Sequence, residues 1–206
     1  MSLKIILASS SPRRRELLAA LGIEFEVVHP LSQETLLENG ISPDFALRIS
    51  AEKALSVSRN LGNGYIVIGA DTIVVVDSEV LGKPRDPEDA VSMLRKLSGR
   101  EHHVYTAFSI VRPKNELLHS QIVDTKVLVK TLAASEIEGY IKTGEPMDKA
   151  GAYGIQGIGS FMVSAIEGSY TNVVGLPVVE LLEVLKNLGV TEIFGKDGFT
   201  RQYTDS

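Results

Sequence analysis

The sequence predicts an α/β protein: one mixed central sheet with helices on its flanks. Three patterns carry that expectation. The first 30 residues read as strand, helix, strand. Two long extended segments, about His102 to Val111 and Leu117 to Val129, are separated only by Pro113-Lys114-Asn115-Glu116 and so read as an antiparallel hairpin. Paired start and stop residues mark further helices between and after them.

Lys4 to Ala8 is a short apolar run and Phe25 to Val28 another. Between them Pro12 to Leu21 is helical, with Leu17, Leu18 and Leu21 on one face and Gly22 as the stop. A longer helix spans 43 to 61, opening at Pro43 and ending before Gly62, with Phe45, Ala46, Ile49 and Val57 in one stripe. Tyr65 to Val76 is a β-branched run, interrupted by Gly69-Ala70-Asp71-Thr72, followed by a turn at Asp77-Ser78 and a short return ending at Leu81-Gly82-Lys83-Pro84. Asp86-Pro87-Glu88-Asp89 opens a helix that Gly99 closes. After the hairpin, Ser135-Glu136-Ile137-Glu138 reads as the capping box of a short helix ending at Gly144. A glycine-rich loop from Gly151 to Gly159, a strand from Phe161 to Ile166 and a helix from Pro177 to Leu188 complete the core. The expected organisation is one domain, 1–190, and a polar C-terminal tail, 191–206.

Composition narrows the classes. With 44% hydrophobic and 23% charged residues the chain belongs with ordinary globular proteins. Absence of cysteine, of a leader pattern and of apolar runs long enough to cross a bilayer points to a cytoplasmic protein without a membrane partner. A net charge of -5 argues against a nucleic-acid partner, since binding a phosphate backbone relies on a basic surface. An anionic small molecule would need a local cationic pocket.

Such a pocket is suggested at Ser9-Ser10-Ser11-Pro12-Arg13-Arg14-Arg15, which puts three cations in the first turn of a helix whose dipole repels them. Arg14 also stands where a capping box would carry Glu or Gln. Hydroxyls from Ser9 onward, backbone N–H groups and guanidinium forks together suit a polyphosphate; a solvated helix face is the competing reading. Asp71 lies in an otherwise apolar strand, where a carboxylate needs a cation, a metal or several donors. Metal binding and water activation are both open to it, as is a turn at the end of a strand. Lys53 falls on the apolar stripe of its helix and Lys83 on a rigid turn before Pro84. The run Asp148 to Gly157 is too rich in glycine for a helix, and it lacks the Gly-Lys-Ser/Thr ending of a Walker loop. Four scattered histidines and no cysteine leave no zinc pattern, so a hard cation, Mg²⁺ or Mn²⁺, bound by Asp71 with Glu34 and by the substrate's own phosphates, is the expected cofactor.

These residues resemble the motifs of the Maf family of nucleotide pyrophosphatases from about Leu3 to Leu188: Ser9 to Arg14, Glu52-Lys53-Ala54, Gly69-Ala70-Asp71-Thr72, Gly82-Lys83-Pro84-Arg85 and Asp148 to Gly157. The resemblance implies a fold like that of inosine triphosphate pyrophosphatases, with two lobes around a cleft, metal dependence and a possible homodimer. It implies that Asp71 accepts a proton from the water that attacks the α-phosphorus of a nucleoside triphosphate. The chain resembles the dTTP/UTP branch at Arg13, Thr72 and Gln156, whereas a branch acting on 7-methyl-GTP differs there. Gln156 offers a donor and an acceptor side by side, matching the N3–H and O4 edge of thymine or uracil. Ser9, Arg14, Lys53 and Lys83 would surround the phosphates. The competing readings are a pyrophosphatase for 7-methyl-GTP or another non-standard nucleotide, and a nucleotide-dependent regulator of cell division.

Overall fold

The computed structural model describes residues 3–30 and 43–190; Glu34 and the tail 191–206 lie outside the described residues. In chain order the elements are β1 (Lys4–Ala8), α1 (Pro12–Ala20), β2 (Phe25–Val28), α2 (Asp44–Ser58), β3 (Tyr65–Val76), β4 (Glu79–Leu81) and α3 (Pro87–Leu97). There follow β5 (Glu101–Arg112), β6 (Glu116–Val129), α4 (Ala134–Lys142), three short 3-10 turns, β7 (Val163–Glu167), α5 (Tyr170–Val174) and α6 (Val178–Asn187).

The strands form one mixed sheet in the order β2-β1-β3-β5-β6-β7, with β4 added to the end of β3. β1 runs parallel to both β2 and β3, whereas β3, β5, β6 and β7 pair antiparallel in succession. The mixed sheet with flanking helices is therefore as the residue pattern predicts.

Alternation along β3 sorts its neighbours. Its odd-numbered side chains, Val67, Ile73 and Val75, pack toward α2 through Ala54, Val57, Ala46 and Leu47. Its even-numbered side chains meet two separate cores on the other face. Ile66, Ile68 and Ala70 pack with Leu18 of α1 and with Leu181 and Leu185 of α6. Val74 and Val76 pack with Met93, Leu94 and Leu97 of α3 and with Ile137 and Tyr140 of α4. One helix thus backs β3 along its length, while the opposite face is divided into two lobes, and the boundary falls at Thr72.

Several local expectations are corrected. β3 is not interrupted at Gly69 to Thr72, because β5 pairs with it continuously through that stretch, Asp71 opposite Ala107 and Thr72 opposite Thr106. α2 stops at Ser58 rather than running to 61; its end tightens into bonds from Asn60 N–H to the Val57 carbonyl and from Leu61 N–H to the Ser58 carbonyl. The cap of α4 is Ala133, not Ser135: the Glu136 carboxylate reaches back to Ala133 N–H at 2.8 Å, and an alanine supplies no reciprocal acceptor. Strand β7 starts at Val163, since Gly157–Met162 coil into a 3-10 turn. The five-residue α5 was not anticipated, although Ser169 caps it by accepting from Asn172 N–H.

Candidate active site

A break in sheet pairing creates the site. β5 occupies one edge of β3 from Val67 to Val75. The other edge is shared: β1 pairs only as far as Gly69, and β4 begins at Val74. Among the described residues, Ala70–Ile73 therefore have no strand beside them on that side. The chain leaves β1 through Ser9–Ser11 and leaves β4 through Gly82–Lys83, so both loops emerge where the edge is open. A cavity of about 610 Å³ lies there, within the roughly 300–1,000 Å³ usual for small-molecule sites. Ser9, Arg13, Arg14, Lys53, Asp71, Thr72, Lys83 and Gln156 all line it, so sequence-distant motifs converge on one cleft.

On the α2 side of β3, Asp71 and Lys53 are both buried, and Lys53 Nζ donates to Asp71 Oδ1 at 2.7 Å. Gly69 makes this pairing possible. A Cβ at that position would lie 2.2 Å from the Ser50 carbonyl oxygen and 2.8 Å from Ala54 N, so only glycine lets α2 approach the strand closely enough for Lys53 to reach Asp71. Asp71 is therefore a mid-strand residue in a buried ion pair and not the cap of a turn.

On the other side of β3, a directed chain of hydrogen bonds crosses the boundary between the lobes. Arg14 donates through Nε to the Gly175 carbonyl at 2.7 Å and through NH2 to Thr72 Oγ1 at 3.0 Å. Thr72 and Thr106 hydroxyls lie 2.9 Å apart, and Thr106 donates to the Asn172 carbonyl at 2.9 Å. Because Thr106 spends its one proton on that carbonyl, Thr72 must be the donor between the two hydroxyls. Thr72 can then offer a ligand only a lone pair. Of the three arginines opening α1, Arg14 is buried in this chain, Arg15 is exposed, and Arg13 NH1 pairs with Asp148 Oδ2 at 3.0 Å. The capping position Ser11 makes no side-chain cap; its N–H bonds instead to Ser9 Oγ at 3.1 Å.

The Arg13–Asp148 pair joins the first turn of α1 to the 3-10 turn Glu145–Asp148, just before the glycine-rich loop, across the mouth of the cleft. Lys149 Nζ also donates to Asp148, at 2.7 Å. Partial burial alone would raise the Asp148 pKa; the hydrogen bonds and charges of Lys149 and Arg13 overcome it and hold the carboxyl below its ordinary range. At the back of the cavity, the Tyr153 hydroxyl lies 2.7 Å from His102 Nε2. Burial pushes His102 down to about 4, with a smaller contribution from neighbouring His103, so the imidazole is neutral near pH 7. Burial likewise pushes the Tyr153 phenol up.

Thr106, Asp148, Lys149 and Tyr153 are cleft or supporting residues that sequence reasoning did not single out as site residues. Asp148, Lys149 and Tyr153 stood inside a quoted motif and could have been taken from it. Thr106 had no local signal, since only the β3–β5 register places it beside Thr72.

The model of the Maf-like protein family matches residues 4–188. A protein of Thermoanaerobacter sp. (strain X514) named dTTP/UTP pyrophosphatase is 51% identical over 184 residues, covering 89% of this chain and 96% of that protein. One of the same name from Syntrophus aciditrophicus (strain SB) is 47% identical over 186 residues, covering 90% of each. Among solved structures, a nucleoside-triphosphatase / dITP/XTP pyrophosphatase from Mycobacterium abscessus superposes with a TM-score of 0.46 at 17% identity, over 90% of this chain and 98% of that one. With a family model that spans nearly the whole described chain and relatives near 50% identity over 90% or more of their own length, this chain belongs to the family of Maf-like proteins.

Proposed function

We infer that the protein is a nucleoside triphosphate pyrophosphatase that hydrolyses dTTP and UTP to the monophosphate and diphosphate. The observation that carries this reading is the buried Lys53–Asp71 pair on the open edge of β3, in a cleft that Arg13, Arg14 and Lys83 also line. The names of relatives near 50% identity support the same reaction and substrates.

In this reading Asp71 Oδ accepts a proton from water, the water oxygen forms a bond to the α-phosphorus, and the bond from that phosphorus to the oxygen bridging the β-phosphorus breaks. Pyrophosphate leaves with the electron pair. Lys53 holds the carboxylate in one orientation. Positioning and charge neutralisation are most of what phosphoryl chemistry asks of a protein, and a cleft with several fixed cations provides both. Gln156 reads the pyrimidine edge, and Thr72, as an acceptor only, restricts which groups can stand against it.

A divalent cation, Mg²⁺ or Mn²⁺, fits this donor set in one specific way. No group of three or more carboxylates and histidines able to hold a metal is assembled among the described residues, so the cation would sit on Asp71 and on the substrate's phosphates, with Glu34 as the second proposed carboxylate. When bound it would neutralise charge on the triphosphate. No helix among the described residues is long and apolar enough to cross a membrane.

The test is a pyrophosphate-release assay over dTTP, UTP, dCTP, dGTP and 7-methyl-GTP with Mg²⁺ or Mn²⁺. Preference for dTTP and UTP, abolished by EDTA and restored by added cation, is the expected result; preference for 7-methyl-GTP would replace the substrate assignment.

A further inference from the structure

Gln156 sits midway along a loop whose two ends are pinned by a pair of side chains that do not line the cleft. At one end, Gly154 N–H donates to the Tyr140 hydroxyl at 3.2 Å. At the other, Ile158 N–H donates to Glu145 Oε2 at 3.0 Å and Gly159 N–H to Glu145 Oε1 at 3.1 Å. The pair is itself joined: the Tyr140 hydroxyl donates to Glu145 Oε1 at 2.9 Å. Tyr140 is anchored by its ring in the core under α3 and α4. The loop is drawn tight between these points. A Cβ at Gly159 would lie 2.4 Å from the Gly154 carbonyl oxygen, and Gly157 has φ +72 with the Glu145 carboxylate 2.9 Å from where its Cβ would be.

These contacts have more order than a turn requires. Three backbone N–H groups and one hydroxyl converge on two side chains, and the segment they enclose carries a residue facing the cavity. We propose that Tyr140 and Glu145 act as positioning residues for base recognition: they fix where the Gln156 amide stands and so set the preference among nucleoside triphosphates, without touching substrate. The proposal rests on the reading of Gln156 given above. Among the described residues neither side chain hydrogen-bonds to Asp71, Lys53 or an arginine; the link toward the phosphate end runs through Lys149, whose Nζ donates to the Glu145 backbone carbonyl at 2.6 Å and to Asp148 at 2.7 Å, a backbone contact that changes to the two side chains leave in place.

The variants Glu145→Gln and Tyr140→Phe separate positioning from folding. The first keeps length and shape but replaces one acceptor oxygen with an NH2 group that must face a backbone N–H, Ile158 or Gly159, while the other oxygen still accepts. The second keeps the ring and the carboxylate and removes only the hydroxyl. For the full chain, kcat and KM are measured on dTTP, dCTP and dGTP with Mg²⁺, beside Gln156→Ala, and thermal melting confirms that each variant is folded. Both clasp variants are expected to lower kcat/KM for dTTP roughly tenfold, mainly through KM, and to change dCTP and dGTP by less than about twofold, narrowing the preference as Gln156→Ala does. A parallel loss on all three nucleotides, or an unchanged preference, in folded variants while Gln156→Ala narrows it would overturn the proposal and leave the reading of Gln156 standing. If Gln156→Ala itself leaves the preference unchanged, both fall. Should Glu145→Gln fail to fold, Tyr140→Phe decides alone.

Discussion

Two buried ionisable residues have different jobs, and their surroundings say which. Asp71 faces a lysine inside a cleft, whereas His102 faces a phenol behind it. Asp71→Asn keeps the shape of the side chain and removes its charge and basicity. It is expected to lower kcat by at least about 10²-fold with little change in fold, measured as pyrophosphate release and by circular dichroism; near-normal turnover would remove Asp71 from the role of base. For His102 the expectation concerns stability. Its folded pKa is about 4, against an ordinary 6.5, so between those values the unfolded chain binds a proton that the native chain does not. Stability therefore falls as pH drops from about 6.5 to about 4 and levels off below. A shift of this size corresponds to roughly 3 kcal/mol across the window. His102→Gln should flatten that part of the profile, read from denaturant midpoints at pH 7, 5.5 and 4. Asp71 was legible from sequence because a carboxylate in an apolar strand breaks a local rule. His102 was not, because nothing in its neighbours along the chain says that Tyr153 covers it.

Elements were legible where a local signal and the tertiary fold agree. Asp86, Pro87 and Asp89 announce α3, and the Asp86 carboxylate does accept from Asp89 N–H at 2.7 Å. Asp86→Ala should cost about 1 kcal/mol, visible as a shift in the denaturant midpoint with unchanged activity. The reading failed where pairing overrides local composition. Gly69-Ala70-Asp71-Thr72 looks like a break in a strand, yet β5 carries the strand straight through it. The glycine there serves the approach of α2 instead. Gly69→Ala is accordingly expected to be among the most damaging small substitutions: the new methyl would overlap the Ser50 carbonyl, α2 would have to retreat, and Lys53 would leave Asp71. Loss of activity together with a destabilisation of about 3 kcal/mol or more is expected, by assay and by melting. Retained activity in a stable Gly69→Ala protein would mean that α2 can shift without parting the ion pair.

At the scale of the whole molecule, the two lobes are joined across the cleft mouth by Arg13 and Asp148, both partly in solvent. Such a pair contributes little to stability, so Asp148→Asn should move the melting temperature by no more than about 3 °C. It also removes a negative charge from the lining of the cleft. KM for the triphosphate is expected to fall about twofold to threefold at low ionic strength, with the difference disappearing in high salt, where exposed charges are screened. The convergence of the motifs on one cleft was implied by family resemblance but not by spacing, since no local pattern records that the loops after β1 and β4 meet at a gap in the sheet.

That gap has a mechanical meaning. Because β1 and β4 stop short of one another, the two halves of the sheet are held together at this level by β3, β5 and β6, with α2 along the back. The molecule is in effect a leaf spring whose thinnest point is at Asp71 and Thr72. Any change in the angle between the halves is a change in strand twist at the residues that face the substrate. Cleft width and the aim of the carboxylate are then a single variable, and a substitution far from the cleft that stiffens or twists β5 near Thr106 would tune both together.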